Sequence, residues 1–241
     1  MLFQDIFIQR ILIITLFQTW PIVYQLFLAN KLIKRSKNPL TFIIVTFFVM
    51  NSFSFIIRYP SLFLITVSAS LSYLFYFLAW YFFILSQGFL VIFSWQLNRL
   101  SERATLKQTV PWIILNLIFS LYVIWAGFLS GGIKYDATTS WIPVFSTNFA
   151  IISLIMVSVY LLLPHTILSF RLLKTFKGEV KTRVTQYILS VYLEFLIVYW
   201  LIIYNTWVDN QVIEVITFII NVPASMLAAC FIYKSLVSQL G

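Results

Sequence analysis

The sequence predicts an all-α polytopic membrane protein, a single domain over residues 1–241 built as a bundle of seven transmembrane helices, with its N-terminus outside and its C-terminus cytoplasmic. Three observations carry this reading. The chain is 61% hydrophobic and only 10% charged, whereas a soluble domain is about 45–50% apolar and about 25% charged. Its apolar residues gather into seven runs, each close to the roughly 20 residues that cross a hydrocarbon core as a helix. Its basic residues fall in alternate gaps between those runs. Surface-to-volume scaling leaves a water-soluble fold no way to hide this much apolar surface, and disorder requires the opposite composition.

The first run, Ile11–Ala29, follows "MLFQDIFIQR". That opening has no basic n-region, carries Asp5 and leads to no small-residue cleavage site, so the run is expected to remain as a helix. The second, Leu40–Ile57, contains "TFIIVTFFVM", apolar on every face. Between Pro60 and Leu97 the apolar stretch is too long for one ordinary crossing and too short for two. It is read as a long, tilted helix over Leu71–Leu97, preceded by an interfacial piece, "SLFLITV". The remaining runs are Pro111–Leu129, Val144–Leu172, Gln186–Trp207 and Val212–Ser235. Isolated apolar runs satisfy their backbone groups only as helices, and the alternation of a barrel is absent.

Charge sets the orientation. Lys31, Lys34, Arg35 and Lys37 follow the first run; Arg99, Arg103 and Lys107 follow the third; Arg171, Lys174, Lys177, Lys181 and Arg183 follow the fifth; Lys234 lies near the end of the seventh. These thirteen of the sixteen basic residues share one side only if there are seven crossings, and that side is cytoplasmic by the positive-inside rule. The outer loops are short. The longest, "SGGIKYDATTSW", offers Gly131 and Gly132 as a turn and Trp141 as an interfacial anchor.

Ionisable groups in hydrocarbon are costly, so they face the interior and take partners. Glu194 and His165, the one histidine, lie at similar depths in the sixth and fifth runs. They are expected to point inward and to hydrogen-bond each other. Two uses remain open: a proton-linked switch or ligand contact, and a helix–helix clasp of about 0.6 kcal/mol. Asn221 (just before Pro223), Asn51 and Gln87 join them as candidate ligand-binding residues, with Asn116 and Asn148 as further uncharged polar positions. At the outer end Arg58 and Glu214 could pair across the mouth, or Arg58 could simply snorkel. The single cysteine, Cys230, permits no internal disulfide and reads as a buried thiol.

No metalloprotease, nucleophile-elbow, Cys/His or phosphate-loop motif occurs, so neither enzymatic activity nor a metal or other cofactor is expected. The seventh run has no central lysine for a retinal Schiff base of the kind found in microbial rhodopsins. The basic loops are accounted for by topology, so no nucleic acid is expected as a partner.

Two resemblances follow. "PHTILSFRLLKTFKGEVKTRVTQY" resembles the fifth-helix exit of seven-helix receptors and of the seven-helix sensor regions of prokaryotic histidine kinases: a proline-bearing helix running into a basic, amphipathic extension. In that extension Leu173, Phe176 and Val180 share a face, and Glu179 and Arg183 form an i,i+4 pair. "SWQLNRLSER" resembles the third-helix exit of G-protein-coupled receptors, with Asn98 and Leu100 where that family has an acidic and an aromatic residue. "NVPASMLAACFIY" has Asn221, Pro223 and Tyr233 in the order, though not the spacing, of a receptor seventh helix. This resemblance implies a receptor-like or sensor-like protein in the cell membrane, taking a small or lipophilic ligand and relaying to a cytoplasmic partner.

The chain is also similar to the PQ-loop and SWEET transporters. An offset of 143 residues lays Pro21 on Pro164, Phe27 on Phe170, Lys31 on Lys174, Lys34 on Lys177 and Asn51 on Glu194. This implies a 3+1+3 repeat moving a small solute. A structural membrane subunit with no ligand is the third reading.

Overall fold

A computed structural model describes residues 2–99, 106–139, 142–207 and 211–237. The fold is all-α, with seven long helices. α1 spans Leu2–Arg35, α2 Pro39–Phe63 and α3 Ala69–Asn98. α4 runs over Leu106–Ser120 and continues in wider π-type turns over Val123–Leu129. α5 is Thr147–Thr175, α6 Gly178–Thr206 and α7 Gln211–Val237. Five of them, α2 to α6, are long and apolar enough to cross a membrane, which makes this a multi-pass membrane protein. Each helix covers the run expected for it, except that the fifth run begins in a strand at Val144–Phe145, so its helix starts at Thr147, and the sixth helix ends one residue short, at Thr206. The interfacial piece "SLFLITV" becomes the last turn of α2 and a 3₁₀ turn over Leu64–Thr66. The basic extension after α5 is not continuous with it. Phe176 is extended and Gly178 has φ +61°, so the chain turns there and residues 178–185 open α6 instead. The Glu179–Arg183 ion pair forms at 3.6 Å. Trp141 lies outside the described residues.

Local chemistry places the helix starts. The Asn38 side chain caps α2 by accepting from the Thr41 amide at 2.7 Å, with Pro39 at the first helical position, where no amide is needed. Ser68 caps α3 and Ser146 caps α5 in the same way. Pro164 inside α5 cannot donate to the preceding turn, and the helix widens into π-type turns over Val157–Leu162 immediately before it.

Consecutive helices pack side by side around a ring that closes between α7 and α1. α3 is its hub. It packs on α2, α4, α5 and α6, and 83% of its apolar window is buried, against 22% for α5. The core therefore runs along α3, through Phe77, Phe83, Leu90, Phe93 and Leu97, and meets Phe47 and Phe48 of α2 and Val191, Phe195 and Val198 of α6. A two-residue antiparallel hairpin, Ile133–Lys134 with Val144–Phe145, folds over the end of the bundle where α3 begins. Tyr135 stacks on Tyr76 at 4.9 Å, Phe145 meets Trp80 at 5.3 Å, and the Tyr73 hydroxyl donates to the Ile133 carbonyl at 3.0 Å. In the connecting loop Asp136 accepts from Thr138 and Thr139, and the Thr138 hydroxyl holds its carboxyl below the usual carboxylate range.

Candidate functional site

The polar residues inside the bundle form three groups. The first is centred on His165, fully buried in α5. Its Nδ1 lies 3.0 Å from the Ser94 hydroxyl of α3, and its Nε2 lies 3.3 Å from the Ser169 hydroxyl one turn on. Ser94 also donates to the Leu90 carbonyl, as does the Tyr187 hydroxyl of α6, both at 2.9 Å. A neutral ring with hydrogen on Nδ1 completes this set: Nδ1 donates to Ser94, and Nε2 accepts from Ser169. Tyr187, Tyr192 and Phe195 enclose the ring edge-on at 6.2, 5.0 and 5.6 Å. One turn further along α3, Asn98 Nδ2 donates to the Leu168 carbonyl of α5 at 3.1 Å. His165 is thus a clasp among α3, α5 and α6.

The expected Glu194–His165 hydrogen bond is not formed. The depths agree, but the directions do not. On a helix adjacent residues point about 100° apart. His165 meets α6 on the flank of Tyr192 and Phe195, whereas Glu194 lies two turns from Tyr187 on the stripe that faces α3. Glu194 is 1% exposed and its Oε1 has no hydrogen-bond partner. A thermal-stability cycle of Glu194→Gln with His165→Leu is therefore expected to be additive within about 0.5 kcal/mol. Ser94→Ala with His165→Leu should instead couple by about 0.6 kcal/mol or more. Coupling in the first cycle and none in the second would refute this assignment.

The second group holds three of the other candidates. Asn51 Oδ1 on α2, Gln87 Oε1 on α3 and Asn221 Nδ2 on α7 all lack hydrogen-bond partners. Asn51 is 1% and Gln87 0% exposed. Contacts between α2 and α3 bring Asn51 and Gln87 to one level. Phe55 of α2 packs on Phe83 of α3 at 6.5 Å, and one turn inward from that pair stand Asn51 and Gln87, since the helices are antiparallel. The ring of His165, 3.0 Å from Ser94 of α3, lies 5.6 Å from Phe195, the residue after Glu194, so Glu194 stands nearer the level of Ser94 than that of Gln87. Asn221 lies one turn inward from Thr217 of α7, to which Trp200 of α6 donates at 2.7 Å.

The third group is structural. Asn116 of α4 donates to the Leu85 carbonyl at 2.9 Å and accepts from Tyr160 of α5 at 2.7 Å, against the open flank of Gly88. Asn148 is exposed at the start of α5. Arg58 sits 5.8 Å from the Tyr76 ring and has no ion-pair partner among the described residues, while the Glu214 side chain lies outside them. Cys230 is half-buried. Sequence reasoning passed over Ser94, Ser169, Tyr187 and Gly88, because small hydroxyls, a tyrosine and a lone glycine are ordinary in apolar helices. The one usable signal was the enrichment of small residues at close helix contacts.

Fold and polar groups together define a helical, multi-pass membrane protein with buried polar side chains inside its bundle. Compared with known proteins, the chain matches no family model and no curated protein.

Proposed function

We propose that the chain is a receptor-like or sensor-like protein of seven transmembrane spans in the cell membrane. In this reading the N-terminus is outside, and the inner loops relay ligand or membrane state to a cytoplasmic partner. The observation that carries it is the joint at the basic end of the bundle. There α3, the buried hub, is held to α5 and α6 by Ser94, His165, Tyr187 and Asn98. A few neutral hydrogen bonds, each worth only about 1 kcal/mol, make a joint that a modest ligand energy can open. The basic segments at 171–183 lie directly beyond it.

The transporter reading has one point in its favour, the buried oxygens of Asn51, Gln87 and Glu194 without hydrogen-bond partners. Against it, the halves differ in environment. α3 is the hub of four neighbours, while its repeat counterpart α7 packs chiefly on α6 and α1, so the two triplets are not interchangeable.

The test uses the full chain in lipid nanodiscs. Cysteines at Thr138 and Lys177 should label from opposite sides. Spin labels at Lys37 and Lys181 should report two distance populations, with Ser94→Ala and Tyr187→Phe shifting weight to the longer one. Labelling from one side, or one distance unmoved by either variant, would overturn the proposal.

A further inference from the structure

The end of the bundle beneath the hairpin, the outer end in the receptor-like reading, holds two buried donors without acceptors. Arg58 of α2 is half-buried, and its Nε and the Trp80 Nε1 of α3 are both sealed with no hydrogen-bond partner. One helix contact brings these residues together. α2 and α3 run antiparallel, and Phe55 packs on Phe83 at 6.5 Å. Three residues outward from each stand Arg58 and Trp80, on the same faces of their helices. The guanidinium lies 5.8 Å from the ring of Tyr76, one turn outward from Trp80. The hairpin covers both aromatic residues, since Tyr135 stacks on Tyr76 at 4.9 Å and Phe145 meets Trp80 at 5.3 Å. A buried donor without an acceptor is unfavourable, and a cation without a counter-charge is more so. No carboxylate among the described residues supplies one. Asp136 is exposed and accepts from Thr138 and Thr139 of its own loop. Glu179 pairs with Arg183, and Glu194 stands nearer the level of Ser94. On α2 and α3 the nearest acceptors without partners, Asn51 Oδ1 and Gln87 Oε1, are two turns inward, about 10 Å away.

We propose that Arg58 and Trp80 bind a compact organic carboxylate beneath the hairpin; the proposal rests on the receptor-like reading and names its ligand class. A guanidinium stacked on a ring keeps its N–H edges for an acceptor in its own plane. The edge that carries Nε offers two parallel N–H groups, which match the two oxygens of a carboxylate. The indole adds a third donor, and each carboxylate oxygen accepts more than one hydrogen bond. One arginine balances one negative charge, so a monoanion fits, whereas a phosphate dianion would keep an uncompensated charge. The rings of Tyr76, Trp80, Tyr135 and Phe145, all buried, enclose the hydrocarbon part. The half-buried guanidinium is reached from the surface, and the indole N–H is reached when the hairpin lifts. That hairpin is only two residue pairs long, and the Tyr135 hydroxyl meets the Ser61 carbonyl at 3.4 Å, a long bond. α3 carries both Trp80 and, about four turns inward, Ser94. The carboxylate site and the inner joint therefore share one rigid element.

The experiment follows thermal unfolding of the full chain in phosphatidylcholine nanodiscs with sodium benzoate, with sodium chloride at equal ionic strength and benzyl alcohol as controls. Benzoate should raise the midpoint saturably, and neither control should. Arg58→Gln should lose the benzoate increment. Trp80→Phe keeps an aromatic ring and removes the N–H, so it should weaken the apparent affinity about fivefold, the worth of one hydrogen bond. It serves alone if the Arg58 variant does not fold. An increment shared by chloride or benzyl alcohol, or one unchanged in either variant, would overturn the proposal. So would a benzoate increment seen only in Glu214→Gln, which would mean that a carboxylate of this chain already occupies Arg58. An Arg58-dependent gain from phosphatidylglycerol nanodiscs, with none from benzoate, would assign the arginine to a lipid phosphate instead. The Lys37–Lys181 distances separate this site from the relay. Saturable binding with a fixed distance keeps the site and removes the relay. Two distance populations without benzoate binding keep the relay and remove the site.

Discussion

Gly132→Ala is expected to lower the stability of the detergent-solubilised protein by about 3 kcal/mol, the upper end for overpacking a filled site. A Cβ at residue 132 would stand 2.2 Å from the Ala126 carbonyl oxygen and 2.7 Å from Phe149 Cβ. The first is backbone, so no rotamer change relieves it. Neither side is free to retreat. The Gly132 carbonyl accepts from the Ser146 amide at 2.8 Å, which closes the base of the hairpin. Ala126 is buried in the π-type turns that end α4, and the adjoining Gly127 is packed on Ile133, Phe77 and Phe149. Gly131 is the control. Its φ is +64° and an added Cβ would meet nothing within 4 Å, so Gly131→Ala should cost only the left-handed backbone term of about 1–2 kcal/mol. The measurement is the thermal midpoint of each variant by intrinsic fluorescence. A Gly131 variant as damaged as the Gly132 variant would mean that the turn, not the close approach, governs this end of the bundle.

The two glycines show how far the sequence reads. "SGG" between apolar runs announces a turn through backbone permissiveness, a local property. That the second glycine is needed for lack of space depends on Ala126 and Phe149 folding against it, and no local pattern records that. The same division holds for the bundle. The seven helices were legible because hydrophobic length and cap residues are local, as with Asn38–Pro39 before α2 and Ser68 before α3. Depth was legible too, since rise per residue is fixed, and it placed Glu194 and His165 at matching levels. Azimuth was not. Which face of α6 meets α3 and which meets α5 follows from three-dimensional packing. A one-residue difference, Glu194 against Phe195, separates a carboxyl whose Oε1 lacks a partner from a ring contact with His165. The break at Phe176–Gly178 was hidden for a related reason: amphipathic spacing across 173–183 fits one helix, while the positive φ of Gly178 ends it.

Gly88→Ala is the second large loss expected, about 2–4 kcal/mol by overpacking together with lost hydrogen bonds. A Cβ at residue 88 would lie 1.9 Å from Asn116 Oδ1 and 2.3 Å from its Cγ. Asn116 is short, so it escapes only by turning its whole carboxamide. That would break its bond to the Leu85 carbonyl at 2.9 Å and its bond from the Tyr160 hydroxyl at 2.7 Å. The Phe119–Tyr160 stack at 4.3 Å depends on the same place for Tyr160, so the damage should spread to the contact between α4 and α5. Asn116→Ala alone loses the two hydrogen bonds but leaves Gly88 unhindered, and should cost about 1–2 kcal/mol. In the double variant the new methyl group enters the space the carboxamide vacated. The combined loss should therefore fall short of the sum by at least 1 kcal/mol, as expected for residues that share one cavity. Strict additivity would show that the Gly88 flank tolerates a methyl group, and that α3 and α4 do not meet there as closely as the structure has them.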